Sequence, residues 1–170
     1  YRRVSEKTGY VATVPSANNV ISAYGRLWAA TTTSNNATVY FSDLISGHVW
    51  STGTAGSLNV NNVWPNGADE ITGLAAHNGF LFIFGKNNIL VYTGATDPSG
   101  TGFVLQDVIT GIGCIARDTI ANTGTDIVFL SQTGVRSLQR TIQEKSAPFR
   151  ELSKNVRNDL LTYISAETLA

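Results

Sequence analysis

Three blocks of this chain share one layout, and that repetition limits the folds open to it. They read "ISAYGRLWAATTTSNNATVYFSD", "LAAHNGFLFIFGKNNILVYTG" and "IANTGTDIVFLSQTGVRSLQR". Each is a short apolar strand, a tight Gly turn, an apolar strand, a polar turn and a further strand. The aligned glycines Gly25, Gly79 and Gly124 are spaced by 54 and 45 residues. That is close to the roughly 40–50 residues of one β-propeller blade. A single unit of this kind cannot bury both of its faces, so such units stack and share a core between neighbours. Three fall short of the usual minimum of about four blades, so the remaining blades are expected from further sequence or from other chains.

The β reading extends along most of the chain. Strands are predicted at Asn19–Tyr24, Arg26–Thr32, Thr38–Ser42, His48–Ser51, Ile71–His77, Phe80–Phe84, Ile89–Thr93, Phe103–Ile109, Thr119–Asn122, Asp126–Ser131 and Val135–Gln139. All are rich in Val, Ile, Thr, Tyr and Phe, which suit a pleated surface. Turns fall at Tyr24-Gly25, Asn78-Gly79, Thr123-Gly124 and Thr133-Gly134, where Gly takes a positive φ at little steric cost. Residues 52–64 and 95–102 read as loops. The last segment changes period: Leu152, Val156, Leu160 and Ile164 recur every four residues, which predicts one apolar stripe of a helix. Ser153 is its candidate N-cap. The expected organisation is a mainly β, partial-propeller region over 1–148, followed by a helical segment over 149–170 that packs on it or leads to a further domain.

Charge restricts function. Of 170 residues only 14% are charged, and twelve Lys+Arg balance twelve Asp+Glu. A tight nucleic-acid binder usually carries a basic excess, because phosphate neutralisation supplies much of its affinity; the totals show none. The chain begins at Tyr1 and lacks Met, so it is expected to be a fragment or a processed chain. Its longest apolar run, Phe80–Phe84, is strand-sized and far short of the roughly 18 residues of a membrane helix, so no membrane span is expected. The single Cys114 rules out an intrachain disulfide within this stretch and reads as a small buried residue.

Motifs that carry chemistry are sparse. "GFLFIFGKNN" (79–88) has five residues between its glycines and Asn after Lys86, where a phosphate-binding loop has four and then Ser or Thr. Asp69 and Glu70 are neighbours and on a strand would face opposite ways. Asp97, Asp107, Asp118 and Asp126 lie at or near turns, where solvation or turn capping is the default. His48 and His77 lack metal-ligand spacing and read as strand-end residues. No Ser sits in a nucleophile elbow. No catalytic residue, cofactor or metal site is expected. "YFSDLISGHVW" (40–50) resembles the Asp-box turn of sialidase-like propellers, although Ser42 and Asp43 are adjacent here and the Gly follows four residues after the Asp. Asp43 is expected to make an Asx-type turn and Trp50 to pack. Gly25, Gly79, Gly124 and Gly134 are expected as structural turn residues.

Three residues stand out as candidate interface groups. Trp64, beside Pro65 in a loop, could anchor a protein partner or stack on a glycan. Arg136 and Arg140 would share one face of an outer strand about 13 Å apart, placed for solvation or an intersubunit salt bridge and too few for a phosphate track.

"GCIARDTIANTGTDIVFLSQTGVRSL", with "GRLWAA…VYFSDLISGHVW" and "ITGLAAHNGFLFIFGKNNILVYTG", resembles the tail nozzle, or tail tubular B-type, proteins of short-tailed bacteriophages. The resemblance runs from about Asn19 to Leu160 and lies in block order: Gly-Cys-Ile-Ala before a strand, Phe-Leu-Ser-x-x-Gly-Val-x-Ser after it. Where such proteins more often carry Pro after that Ala, this chain has Arg117. The resemblance implies a structural virion protein rather than an enzyme. It implies a homo-oligomeric ring, usually a hexamer, in contact with other tail proteins such as the adaptor and tail fibres. Its lumen would pass double-stranded DNA during ejection without binding it tightly, and the neutral composition is consistent with low drag. The alternative reading is a β-propeller lectin or host-receptor binding module, with Trp64 stacking on sugar. A sialidase-like hydrolase would need an arginine cluster and an acid/nucleophile set in one pocket.

Overall fold

The computed structural model describes residues 15–31, 37–65, 67 and 69–146, with backbone alone at 144–146. The chain is mainly β, in three antiparallel sheets formed in sequence order. Sheet 1 contains β1 (Asn19–Ala23), β2 (Arg26–Ala30), β3 (Thr38–Phe41) and β4 (Gly56–Asn59). Sheet 2 contains β5 (Gly73–His77), β6 (Phe80–Phe84), β7 (Asn88–Thr93) and β8 (Val104–Thr110). A 3-10 turn at Arg117–Thr119 leads into sheet 3, built from β9 (Ala121–Asn122), β10 (Ile127–Ser131) and β11 (Gly134–Ser137), and α1 follows at Leu138–Ser146. Every strand pairs with its sequence neighbour, so each sheet is a meander without crossovers. Among the described residues the sheets close into neither a barrel nor a complete propeller.

The hairpin turns follow from residue chemistry. Tyr24-Gly25 (φ 54° and 71°) and Asn78-Gly79 (φ 48° and 83°) are two-residue loops with both residues left-handed. That geometry matches the right-handed twist of the flanking strands. Their registers, Ala23↔Arg26 and His77↔Phe80, set which side chains face inward. Tyr is an unfavourable residue at such a φ; its hydroxyl donates to the Phe80 carbonyl at 2.9 Å, tying the first hairpin to the second.

Burial explains why Phe80–Phe84 is apolar throughout. Leu81 and Ile83 on β6, with Leu90 and Tyr92 on β7, pack with Trp28, Ala30, Val39 and Phe41 of sheet 1. The alternate residues Phe82, Phe84, Ile89 and Val91 pack with Ile127 and Phe129 of sheet 3 and with Cys114. Sheet 2 is therefore the filling of a three-layer stack, and period-2 side chains feed both interfaces. Aromatic pairs fill them: Trp28 against Phe41 at 5.4 Å and Phe103 at 5.7 Å, and Phe84 against Phe129 at 5.0 Å. Each such side chain contributes roughly 1.5–3 kcal/mol by leaving water. Cys114 is fully buried, as its neighbours predict.

The leading strands of the meanders are neighbours. β5 lies against β1 and β2. Asn122 on β9 donates through Nδ2 to the Ala76 carbonyl on β5 at 3.4 Å. Arg117, just before β9, donates through Nη1 to the Asn18 carbonyl just before β1 at 2.6 Å.

Three strand expectations are corrected. His48–Ser51 is not a strand; the outer strand of sheet 1 is β4, within the segment read as a loop. No residue of "GSLN" is β-branched or aromatic, and Gly56 is needed because a Cβ there would sit 2.8 Å from the Phe41 ring. Thr119–Asn122 shortens to Ala121–Asn122, since Thr119 closes the 3-10 turn by donating to the Ala116 carbonyl. Val135–Gln139 ends as a strand at Ser137, where α1 begins. Ser137 is the N-cap: its Oγ accepts from the Arg140 amide at 3.3 Å, and Asp126 Oδ1 accepts from the Gln139 amide at 3.0 Å. The helix expected over 149–170 lies outside the described residues.

Candidate functional site

The polar chemistry of the fold gathers at turns, where single carboxylates collect backbone amides. In sheet 1, Asp43 Oδ1 accepts from the Thr54 amide at 2.9 Å and the Thr54 hydroxyl at 2.6 Å. That hydroxyl first, then the Thr54 and Leu44 amides, hold the Asp43 carboxyl below its ordinary value. Arg26, 4% exposed, lies beneath. Its Nη1 donates to the Ser42 carbonyl at 2.9 Å, the Thr54 carbonyl at 3.2 Å and Thr54 Oγ1 at 2.8 Å. The loop between β3 and β4 is thus clamped at both ends, and Trp50 Nε1 closes an inner turn on the Gly47 carbonyl at 3.1 Å. The Asx-type turn expected of Asp43 is not what its carboxylate makes: it accepts from Thr54, eleven residues on, while the Ile45 amide donates to the Gly25 carbonyl. Arg26 was not legible, because a lone Arg after a Gly turn carries no signal of burial.

This clamp presents an apolar tip. Leu44 and Ile45 are the central residues of the Asp43–Ser46 turn and are 49% and 87% exposed. Ile45 is left-handed at φ 54°, a rare state for a β-branched residue. The Ile45 amide donates to the Gly25 carbonyl at 2.7 Å, which holds it there. Nearby, Ser46 Oγ and His48 Nδ1 are 3.5 Å apart, beyond the 2.6–3.2 Å reach of a nucleophile and its base.

In sheet 2 the equivalent group is Asp69, 8% exposed. Oδ1 accepts from the Glu70 and Lys86 amides at 2.8 and 2.9 Å; Oδ2 accepts from the Asn87 amide at 2.9 Å and Asn88 Nδ2 at 2.8 Å. Four donors fill both oxygens, so this carboxylate staples the β6–β7 turn. In sheet 3, Asp126 accepts from the Ile127 amide at 2.7 Å, the Gln139 amide and the Ser137 hydroxyl. Burial alone would raise its pKa; the hydrogen bonds from Ser137, Gln139 and Ile127 together outweigh it, and the carboxyl ends below its ordinary value.

The structure separates the three candidate interface residues. Trp64 is 5% exposed and belongs to the core between sheets 1 and 2. The turn at Val60–Val63 folds the ring inward, where a Cβ on Gly85 would lie 3.1 Å from it. Its expected role as an exposed anchor is corrected. Arg136 lies on β11 with Nε and Nη2 donating to Thr133 Oγ1 at 3.1 and 2.9 Å. Arg140 is exposed on α1. The two do not share a strand face, because the strand ends between them.

Between sheets 2 and 3 lies a cleft of ≈ 50 Å³ lined by Lys86, Asn87, Gly113, Gln132 and Thr133. Gln132 Nε2 donates across it to Asn87 Oδ1 at 3.0 Å. Lys86 turns away to pair with Glu70 at 2.5 Å. A ligand pocket is usually about 300–1,000 Å³, so this seam suits water rather than a sugar. Among the described residues no three His, Cys, Asp or Glu side chains group as a metal site, and no helix is long and apolar enough to cross a membrane. No family model and no curated protein matches the chain.

Proposed function

We propose that this chain is a wall segment of a tail nozzle subunit of a short-tailed bacteriophage, with its three meanders serving as propeller blades. The observation that carries the blade reading is the adjacency of the leading strands β1, β5 and β9, with each sheet interface filled by apolar side chains. Successive meanders packed face to face, with their first strands neighbouring, are what an axial arrangement requires. The nozzle assignment rests on the sequence resemblance over residues 19–160 and on the balanced charge. In this role the carboxylate staples at Asp43, Asp69 and Asp126 hold turns rigid, and the surface carries genome past without gripping it.

Cryo-electron microscopy of the intact particle tests the proposal. The expected result is density for this stretch in a ring below the portal, repeated by the ring symmetry. Finding it as a free monomer outside any tail structure would overturn it. The lectin alternative is weakened by the burial of Trp64, its principal stacking candidate.

A further inference from the structure

The chain has two Asn-Gly pairs, at 66–67 and 78–79. In such a pair the side-chain amide is readily lost, because glycine has no Cβ to obstruct attack by its own nitrogen on the asparagine carbonyl carbon. Asn78-Gly79 is the tip of the β5–β6 hairpin. Both residues are exposed, and a Cβ built on Gly79 would meet nothing within 4 Å. Sterically, the attacking atom and its target lie open.

The turn opposes the reaction. At φ 48° and 83° both residues are left-handed. Ring closure requires the peptide plane after Asn78 to swing until the Gly79 nitrogen faces the side-chain carbonyl carbon, and a left-handed turn holds that plane rotated away. The neighbouring sheet holds it as well. Tyr24 Oη donates to the Phe80 carbonyl at 2.9 Å. Burial pushes the Tyr24 phenol up, and the Gly79 amide, donating to the same oxygen, counters part of that rise. One hydroxyl thus grips the 78–79 peptide through its N–H and the 80–81 peptide through its C=O. The engaged nitrogen is the one that would attack.

We propose that Asn78 is a site of spontaneous deamidation whose rate is set by Tyr24, through local opening of the β5–β6 turn. The Gly79 nitrogen loses its proton to hydroxide and bonds to Asn78 Cγ. The Cγ–Nδ2 bond breaks, and Nδ2 takes a proton from water and leaves as ammonia. Water then adds to one of the two imide carbonyls, leaving aspartate or isoaspartate at position 78; nothing is oxidised or reduced. Aspartate keeps the turn, because its short side chain tolerates the left-handed state. Isoaspartate adds a methylene to the main chain inside a two-residue loop. That breaks the His77↔Phe80 register and withdraws the Phe80 carbonyl from Tyr24, so the tie between the first two hairpins is lost. The inference rests on neither the blade reading nor the phage assignment.

The experiment incubates the purified chain at neutral pH and follows position 78 by peptide mapping and mass spectrometry, beside the free peptide AAHNGFL. Hydrogen exchange of the Gly79 amide is measured in the unaltered chain. Deamidation at 78 is expected to be slower in the chain than in the peptide, with the Gly79 amide protected. Tyr24→Phe should accelerate it by about three- to tenfold, the worth of a hydrogen bond. Ile109→Val removes a buried methyl at the far end of sheet 2 and should leave the rate within about twofold, because the turn opens locally and not by global unfolding. A peptide-like rate in the folded chain, an unprotected Gly79 amide, or a rate unchanged by Tyr24→Phe would each overturn the proposal. So would equal acceleration by Ile109→Val, or an intact Asn78 in the Tyr24→Phe chain once the peptide has fully converted.

Discussion

Asp69 offers the sharpest test of the claim that carboxylate staples hold the meanders. The perturbation is Asp69→Ala, which removes an acceptor of four hydrogen bonds. A hydrogen bond to a charged group contributes about 1.5–3 kcal/mol net, but the four do not add. Lys86 and Asn87 are exposed, so water can replace the carboxylate at their amides. Asn88 is 8% exposed; its amide group loses a partner in a place water reaches poorly, at about 1–3 kcal/mol. The released turn also loosens Gly85, whose carbonyl accepts from the Cys114 amide at 2.9 Å. The expected total is about 3–4 kcal/mol, or roughly 6–16 °C in Tm for a domain of this size. Asp69→Asn keeps the shape and one acceptor oxygen and should lose about 2 kcal/mol. Urea unfolding followed by tryptophan fluorescence reads both, since Trp64 packs beside Gly85. A loss below about 0.5 kcal/mol for Asp69→Ala, the range of an ordinary surface substitution, would refute the staple.

Three further outcomes follow from the same geometry. The Asp126 carboxyl is held below its ordinary value, so the folded state binds fewer protons than the unfolded one in acid. Its contribution is fully present above the unfolded value of about 4 and is lost as pH falls through the folded one; the protection of α1 amides, taken relative to their intrinsic exchange rates, should fall there, and Asp126→Asn should remove that dependence. At Gly113 a Cβ would run into the backbone of Gly85 and Lys86, so Gly113→Ala should destabilise by about 2–3 kcal/mol in thermal unfolding, with an unchanged Tm as the contrary result. Ile45→Asn should stabilise by about 0.5–1 kcal/mol, because Asn tolerates the left-handed state better than a β-branched residue; equal or lower stability would contradict the strain assigned to the tip.

How much of this was legible depended on whether a signal was local. The Gly-turn hairpins and the apolar run Phe80–Phe84 were readable because turn chemistry and burial on both faces act on consecutive residues. β4 was not: "GSLN" is a poor strand by composition, and it pairs with β3 because the Asp43–Thr54 clamp returns the chain beside it. The strand-to-helix switch at Ser137 was hidden for a similar reason, since half of its cap comes from Asp126, eleven residues upstream. Trp64 misled because Pro65 and a polar context read as an exposed loop, while the residue that makes room for its ring, Gly85, lies on another hairpin. Arg117 gives no local signal of its role, since its contact with Asn18 spans 99 residues.

The same distinction explains where the few charges reside. A chain with 14% charged residues has few to spend on solvation, and each described sheet has a carboxylate (Asp43, Asp69 or Asp126) that collects backbone amides from a turn or element start. Asp43 and Asp126 each reach across the sequence to a segment that propensity alone would not place: the start of β4 and the start of α1. Asp69 performs the same task for the β6–β7 turn. An apolar stack fixes which faces meet but only weakly fixes how each meander turns at its ends, because hydrophobic burial is non-directional. Hydrogen bonds to a fixed carboxylate are directional, so the staples supply what the stack lacks. If that division of labour holds, replacing a staple should loosen turn protection in hydrogen exchange while leaving β6 protected. Replacing Phe84 by Ala should do the reverse, lowering global stability by about 3–5 kcal/mol while the turns keep their local order. Equal loss at turns and strands in both variants would show that the two networks are one.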